Sequence, residues 1–332
     1  MIDAVLDWIN VRLRAVVVAL VVGCGPPPGP AYPTQPPPDP IDEPVAALPG
    51  PVEPGSIGKV VDRSVDFAFE GGQLEFELRQ DGDRVVQIAR SRYAVPVMIH
   101  WELGALENLE PTTPVSGATL LPAAPRPQAA GAAILLAELR TIDTRHNYRR
   151  DFAFRARFGD PRAQAATYAY GLPYPRGLMY SVLQGFHGAF SHRGSNEYAV
   201  DFDCPVATPV IATRDGVVVA ANASAQGSGT TPDFLDYKRV NFVMIRHDDG
   251  TIGEYLHLSP SGIEVKPGQR VKRGDELALS GFTGFSSTPH LHFQVMTAAE
   301  DGIAARSFPF LLAVSPGRNE PPVQGRAYLS WE

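Results

Sequence analysis

A mainly β architecture is expected for this chain of 332 residues, on three observations. Apolar and polar residues alternate over short runs, the period-two pattern of half-buried strands. The 31 glycines and 32 prolines suit a loop-rich β protein. His290-Leu291-His292-Phe293 lies within such an alternating run, so its two imidazoles project from one face of a strand. With 44% hydrophobic residues, the chain is long enough for two domains with cores of their own. The expected order is an N-terminal β-sandwich-like domain followed by a second, mainly β domain.

The first 23 residues read as a signal peptide. Arg12 and Arg14 precede an apolar run over 15–23, too short for a membrane helix of about 20 residues. Val21-Val22-Gly23-Cys24 resembles a bacterial lipoprotein processing site, which implies that Cys24 is lipidated. Residues 24–54 form a linker: the stretch 25–54 holds 13 of the 32 prolines and no Lys or Arg. Such a segment cannot bury a core and is expected to be extended, with a reach of about 90 Å.

Residues 55–160 are expected as an accessory β domain. Val65–Glu70, Leu74–Leu78, Val95–Ile99, Ile134–Leu139 and Asp151–Phe158 read as strands, and the Pro-, Ala- and Thr-rich stretch 112–130 as a loop. Residues 161–184 read as a linker. Its tyrosines, Tyr168, Tyr170, Tyr174 and Tyr180, could line a groove or pack between domains, and packing is preferred. A second domain spans 185–315, and 316–332 is a C-terminal tail. A net charge of −7 without basic clusters argues against nucleic-acid binding. With Cys24 acylated, Cys204 has no partner and is expected as a small buried hydrophobe.

Paired histidines on one strand face can divide the labour, one holding a metal and the other moving a proton. A His/Asp/His set with one coordination position open is what a catalytic zinc needs. The segments GSNEYAVDFDCPVATPV (194–210), VNFVMIRHDDG (240–250), GEYLHLS (253–259) and TGFSSTPHLHFQV (283–295) occur in sensible order. Over roughly 180–312 they resemble the lysostaphin/LytM-type zinc endopeptidases, which cut peptide cross-bridges of bacterial peptidoglycan.

The resemblance implies a twisted antiparallel β zinc metallopeptidase domain with one zinc, held by His192, Asp201 and His292. It assigns His257 and His290 as two catalytic histidines that are not ligands. Many members place the first His four residues before the Asp, where this chain has Glu197; here the gap is nine. SHRGSNEYAVDF is similar to a longer variant, with Asn196 in its middle. His187, fourteen residues before Asp201, is the rival ligand; His192 is preferred because Ser191 and Gly194 form a turn feeding the Asp201 strand. Asp203 is read as an outer or solvent-facing acid. His100, His146 and His247 are read as surface or core residues, with His247 at a strand end beside the Asp248-Asp249-Gly250 turn.

The implied activity is zinc-dependent hydrolysis of peptidoglycan stem-peptide cross-links by a D,D-endopeptidase. The implied setting is an exported lipoprotein on the periplasmic side of the outer membrane. Arg193 could pair with a substrate carboxylate or be a solvated loop residue. The alternative is a non-catalytic LytM-like regulator of cell-wall amidases, a role taken by relatives that have lost their ligands.

Overall fold

The computed structural model describes residues 51–53 and 57–332. The expected signal peptide, Cys24 and nearly all of the proline-rich segment lie outside the described residues. Those described form strands joined by turns; their only helices are short 3₁₀ turns, Gly194–Asn196, Pro232–Leu235 and Tyr237–Arg239. The protein is mainly β, as the alternating runs require.

The N-terminal half is two antiparallel sheets. One has the order Pro51–Val52, Ala133–Thr141, Arg84–Ser91, Gly72–Asp81, Lys59–Phe69, with Leu109–Pro111 beside Ala133–Thr141. The other is Ser116–Leu121, Val97–Glu107, Arg149–Phe158. Their facing side chains, among them Leu74, Phe76, Val85, Ile99, Trp101 and Phe158, form one buried cluster. The strand Ser116–Leu121 corrects the expected 112–130 loop. Its small residues have weak strand preference, and pairing along Val97–Glu102 supplies the missing order.

The C-terminal half is built on a sheet of nine strands. Its order is Arg270–Val271, Gly216–Asn222, Phe242–Arg246, Ile252–Leu256, Leu291–Ala298, Val200–Phe202, Met179–Gln184, Ala327–Leu329, with Ala305–Ser307 also on Leu291–Ala298. Two further corrections follow. The 161–184 stretch is not only a linker, because Met179–Gln184 pairs with Val200–Phe202 inside the sheet. The 316–332 segment is not a free tail, because Ala327–Leu329 pairs with Met179–Ser181.

This sheet is buried on both faces. Val243, Ile245, Tyr255, Phe293 and Val295 point to a cluster containing Tyr170, Tyr174, Phe202 and Leu312. Phe242, Met244, Ile252 and Met296 point the other way and belong to the N-terminal half's cluster. The accessory half is therefore not a separate body: it shares a core with the second half, with Phe69 and Phe242 ring centroids 5.2 Å apart. Along Leu291–Ala298, alternation puts His292, Gln294 and Met296 on one face. The N-terminal half therefore covers the far end of the face that carries the histidines.

Candidate metal centre

Strand pairing sets the site. Asp201 stands opposite His292, and His292 opposite Leu256 on the next strand. Flanking Val200, Phe202, Leu291 and Phe293 are buried in the second core, so the polar residues between them face the groove. His257 follows the strand Ile252–Leu256 with φ of 65°, a left-handed conformation that a non-glycine residue holds only when its surroundings fix it. Its ring centroid lies 4.4 Å from that of His290 and 6.0 Å from that of His292.

His192, Asp201 and His292 are all buried, and one ligand atom from each falls within 4.8 Å of the others. His192 Nδ1 donates to the Gly185 carbonyl at 2.8 Å, so in the neutral ring Nε2 carries the lone pair. That Nε2 lies 3.1 Å from Asp201 Oδ2 without hydrogen-bonding geometry and has no partner. A lone pair facing a carboxylate is repulsive until a cation or a proton lies between them. His292 Nδ1 is 2.9 Å from Asp201 Oδ1, and its buried Nε2 is also unpartnered. Ligands of one tetrahedral zinc, each about 2.0–2.1 Å from it, stand roughly 3.3 Å apart. The donor set and its spacings fit zinc.

Burial works to raise the Asp201 carboxyl, but the His192 and His292 rings beside it, when they carry a proton toward it, hold it well below the usual carboxylate range. Burial pushes His257 well down, helped by the neighbouring His290 and His292. His257 Nδ1 donates to Thr283 O at 2.7 Å and His290 Nδ1 to Thr288 O at 2.8 Å. Both rings thus keep Nε2 free, and both line a cavity of about 420 Å³ together with Asp201 and His292.

The rival His187 is half exposed, 3.2 Å from Glu197, and outside the cluster. Asn196 lines the cavity, whereas Asp203 and Arg193 are exposed and do not. Tyr170 and Tyr174 are core residues of the C-terminal half, so they neither line the cavity nor, as expected, pack between the halves, and Cys204 is a buried free thiol. His247 is buried at a strand end, its Nδ1 bonded to Asp215 O.

Sequence reading missed Gln184. Its Nε2 donates to Asp201 Oδ2 at 3.1 Å and Ser191 Oγ at 2.8 Å, while Oε1 accepts from the Phe190 and Ser191 backbone. One amide thus ties the His192 turn to the Asp201 carboxylate. A lone Gln at a strand end gives no motif; only its register opposite Asp201 reveals it. Gly188 makes room for it, since a Cβ there would meet Gln184 Cγ at 2.1 Å.

Residues 195–303 match the family model described as Peptidase family M23, a match that begins just beyond His192. The chain is 37% identical over 154 residues to the glycyl-glycine endopeptidase ALE-1 of Staphylococcus capitis, covering 46% of this chain and 35% of that protein. It is 32% identical to lysostaphin of Staphylococcus simulans over 167 residues, 50% of this chain and 28% of that protein. It is 38% identical over 96 residues to the peptidoglycan DD-endopeptidase ShyA of Vibrio cholerae, 29% of this chain and 19% of that protein. The matched stretches span about a third or less of the length of these relatives. Their shared segment and the paired Asp201 and His292 strands within it lead to one conclusion: residues 195–303 are a domain of peptidase family M23, homologous to parts of lysostaphin, ALE-1 and the Vibrio endopeptidase.

Proposed function

We propose that this chain is a zinc-dependent D,D-endopeptidase that hydrolyses peptide cross-bridges of bacterial peptidoglycan. The observation that carries the reading is the buried His192/Asp201/His292 cluster, with unpartnered imidazole nitrogens, beside two further histidines in one cavity. Bound there, zinc supplies Lewis acidity, polarising a carbonyl and lowering the pKa of water toward about 7. The chain's own groups do the rest. His290, its Nδ1 proton committed to Thr288, offers Nε2 as the base for the attacking water. His257, fixed the same way by Thr283, lies beside it to stabilise developing charge or return a proton to the leaving amine. The regulator reading finds no support, since all five of these groups are present and converge.

Mass analysis of a digest of purified sacculi tests the reading. Cross-linked dimers should become monomers, and His290→Ala should keep the metal while losing turnover. Cleavage confined to pentaglycine substrates would overturn the assignment of the bond. We propose further that the protein is exported and anchored through Cys24 on the periplasmic side of the outer membrane. This rests on the apolar run and small-residue-Cys pattern at 15–24. Cys24→Ser should then move the protein from the membrane fraction to the soluble one; continued membrane binding after export would place the anchor elsewhere.

A further inference from the structure

The cavity that holds the histidines does not end with them. Two residues beyond His292 on the same strand face comes Gln294, about 7 Å further along. Opposite it on the neighbouring strand stands Glu254. Both are buried and line the cavity. Glu254 is fully engaged: it accepts from Tyr237 Oη at 2.7 Å and from Gln294 Nε2 at 2.6 Å. Gln294 Oε1 is left buried without a partner.

Into this end of the cavity projects a cation from the other half of the molecule. Arg157, on the strand Arg149–Phe158, is 9% exposed and lines the same cavity. Its guanidinium lies over the Tyr237 ring, 5.9 Å from the centroid. Its side chain donates to the Ala156 carbonyl at 3.3 Å, a long bond for a group with five N–H donors. Among the described residues no acid pairs with it. Asp66 holds Lys238 Nζ at 2.9 Å and Asp236 accepts from the Lys238 backbone at 2.8 Å. The Arg157 nitrogens without a protein partner are reached by solvent rather than sealed off, so most of its donors are open to an anion entering the cavity.

We infer that Arg157, with Gln294 beside it, is a carboxylate-recognising subsite that sets specificity for the leaving side of the scissile bond. The inference rests on the hydrolytic reading above and deepens it. Arg presents a planar fork matched to a carboxylate, and Tyr237, itself tied to Glu254, braces its plane. Gln294 Oε1 adds an unspent acceptor at the same end of the cavity. A peptide whose scissile nitrogen is borne by a carbon carrying a free carboxylate presents that carboxylate beside the bond, where the long Arg157 side chain can reach toward it across the cavity. A glycine chain has no carboxylate at that position. The accessory half thereby contributes a side chain to substrate choice.

The test uses the full zinc-loaded chain and two cross-linked muropeptide dimers, identical except that the carboxylate next to the scissile nitrogen is free or amidated. Wild type should favour the free acid. Arg157→Met should lower kcat/KM on it by about 10- to 100-fold, mainly through KM, and lower it far less on the amidated dimer. Arg157→Lys, which keeps stem and charge but loses the fork, should fall between; it carries the comparison if the Met variant does not fold. Calorimetric binding of the corresponding monomers should show the same dependence without turnover. No preference by wild type, or an equal loss on both substrates, would reduce Arg157 to a packing residue and overturn the proposal. Arg157-dependent binding of the free acid with no cleavage of either dimer would leave the subsite standing and sink the hydrolytic reading instead.

Discussion

His192 and His187 are both histidines of the turn before Asp201, and only burial and direction separate them. His192 points its unprotonated nitrogen at Asp201, while His187 faces solvent beside Glu197. Metal analysis should therefore find that His192→Ala or Asp201→Ala loses the zinc and that His187→Ala keeps it. Gln184 carries a second expectation. Gln184→Leu keeps the side chain's bulk but removes every hydrogen bond linking the turn to the carboxylate. Loss of such an outer contact typically costs 10–100-fold in metal affinity, so competition with a chelator should show a weakening of about that size. An unchanged affinity would mean that the turn holds itself.

At the scale of the element, the strand Phe242–Arg246 serves both cores by alternation, with Phe242 against Phe69 and Val243 on the opposite side. Phe242→Ala should cost about 3–5 kcal/mol in denaturant unfolding. A single shifted transition is expected, since that ring belongs to both halves. His247 ends the same strand. Burial, the dominant cause, lowers its pKa to about 4, against roughly 6.5 in the unfolded chain. Between these values the unfolded state binds more protons. Stability from this group is therefore complete above about pH 6.5, is lost as pH falls toward 4, and levels off below. The loss amounts to about 3 kcal/mol. His247→Gln should flatten that part of a stability–pH curve; an unaltered slope would show that other groups dominate it.

For the whole molecule, the shared face decides how the halves behave. The N-terminal half covers Phe242, Met244, Ile252 and Met296, which would otherwise form an apolar patch on the C-terminal half. A chain beginning at residue 161 should therefore bind a hydrophobic dye and aggregate. A monomeric, dye-silent fragment would show that the halves fold independently, as the alternating runs of 55–160 suggested.

Period-two patterning is local and survives any arrangement of strands, so the mainly β class was legible in the residues alone. Asp201, His257, His290 and His292 could be named as site candidates because Tyr-x-His, the HLH run and the Asp strand, which carry the family resemblance, are short-range motifs. The features that emerged only on folding share one physical origin: strand partners distant in sequence. Residues 161–184 and 316–332 look like connectors until Met179–Gln184 and Ala327–Leu329 are seen paired in the sheet. Gln184 acquires meaning from its register opposite Asp201. Arg157 looks like one polar position in an alternating strand. It becomes a cavity residue only because the two halves bury a common face, and nothing in the local pattern encodes which face a distant sheet will cover.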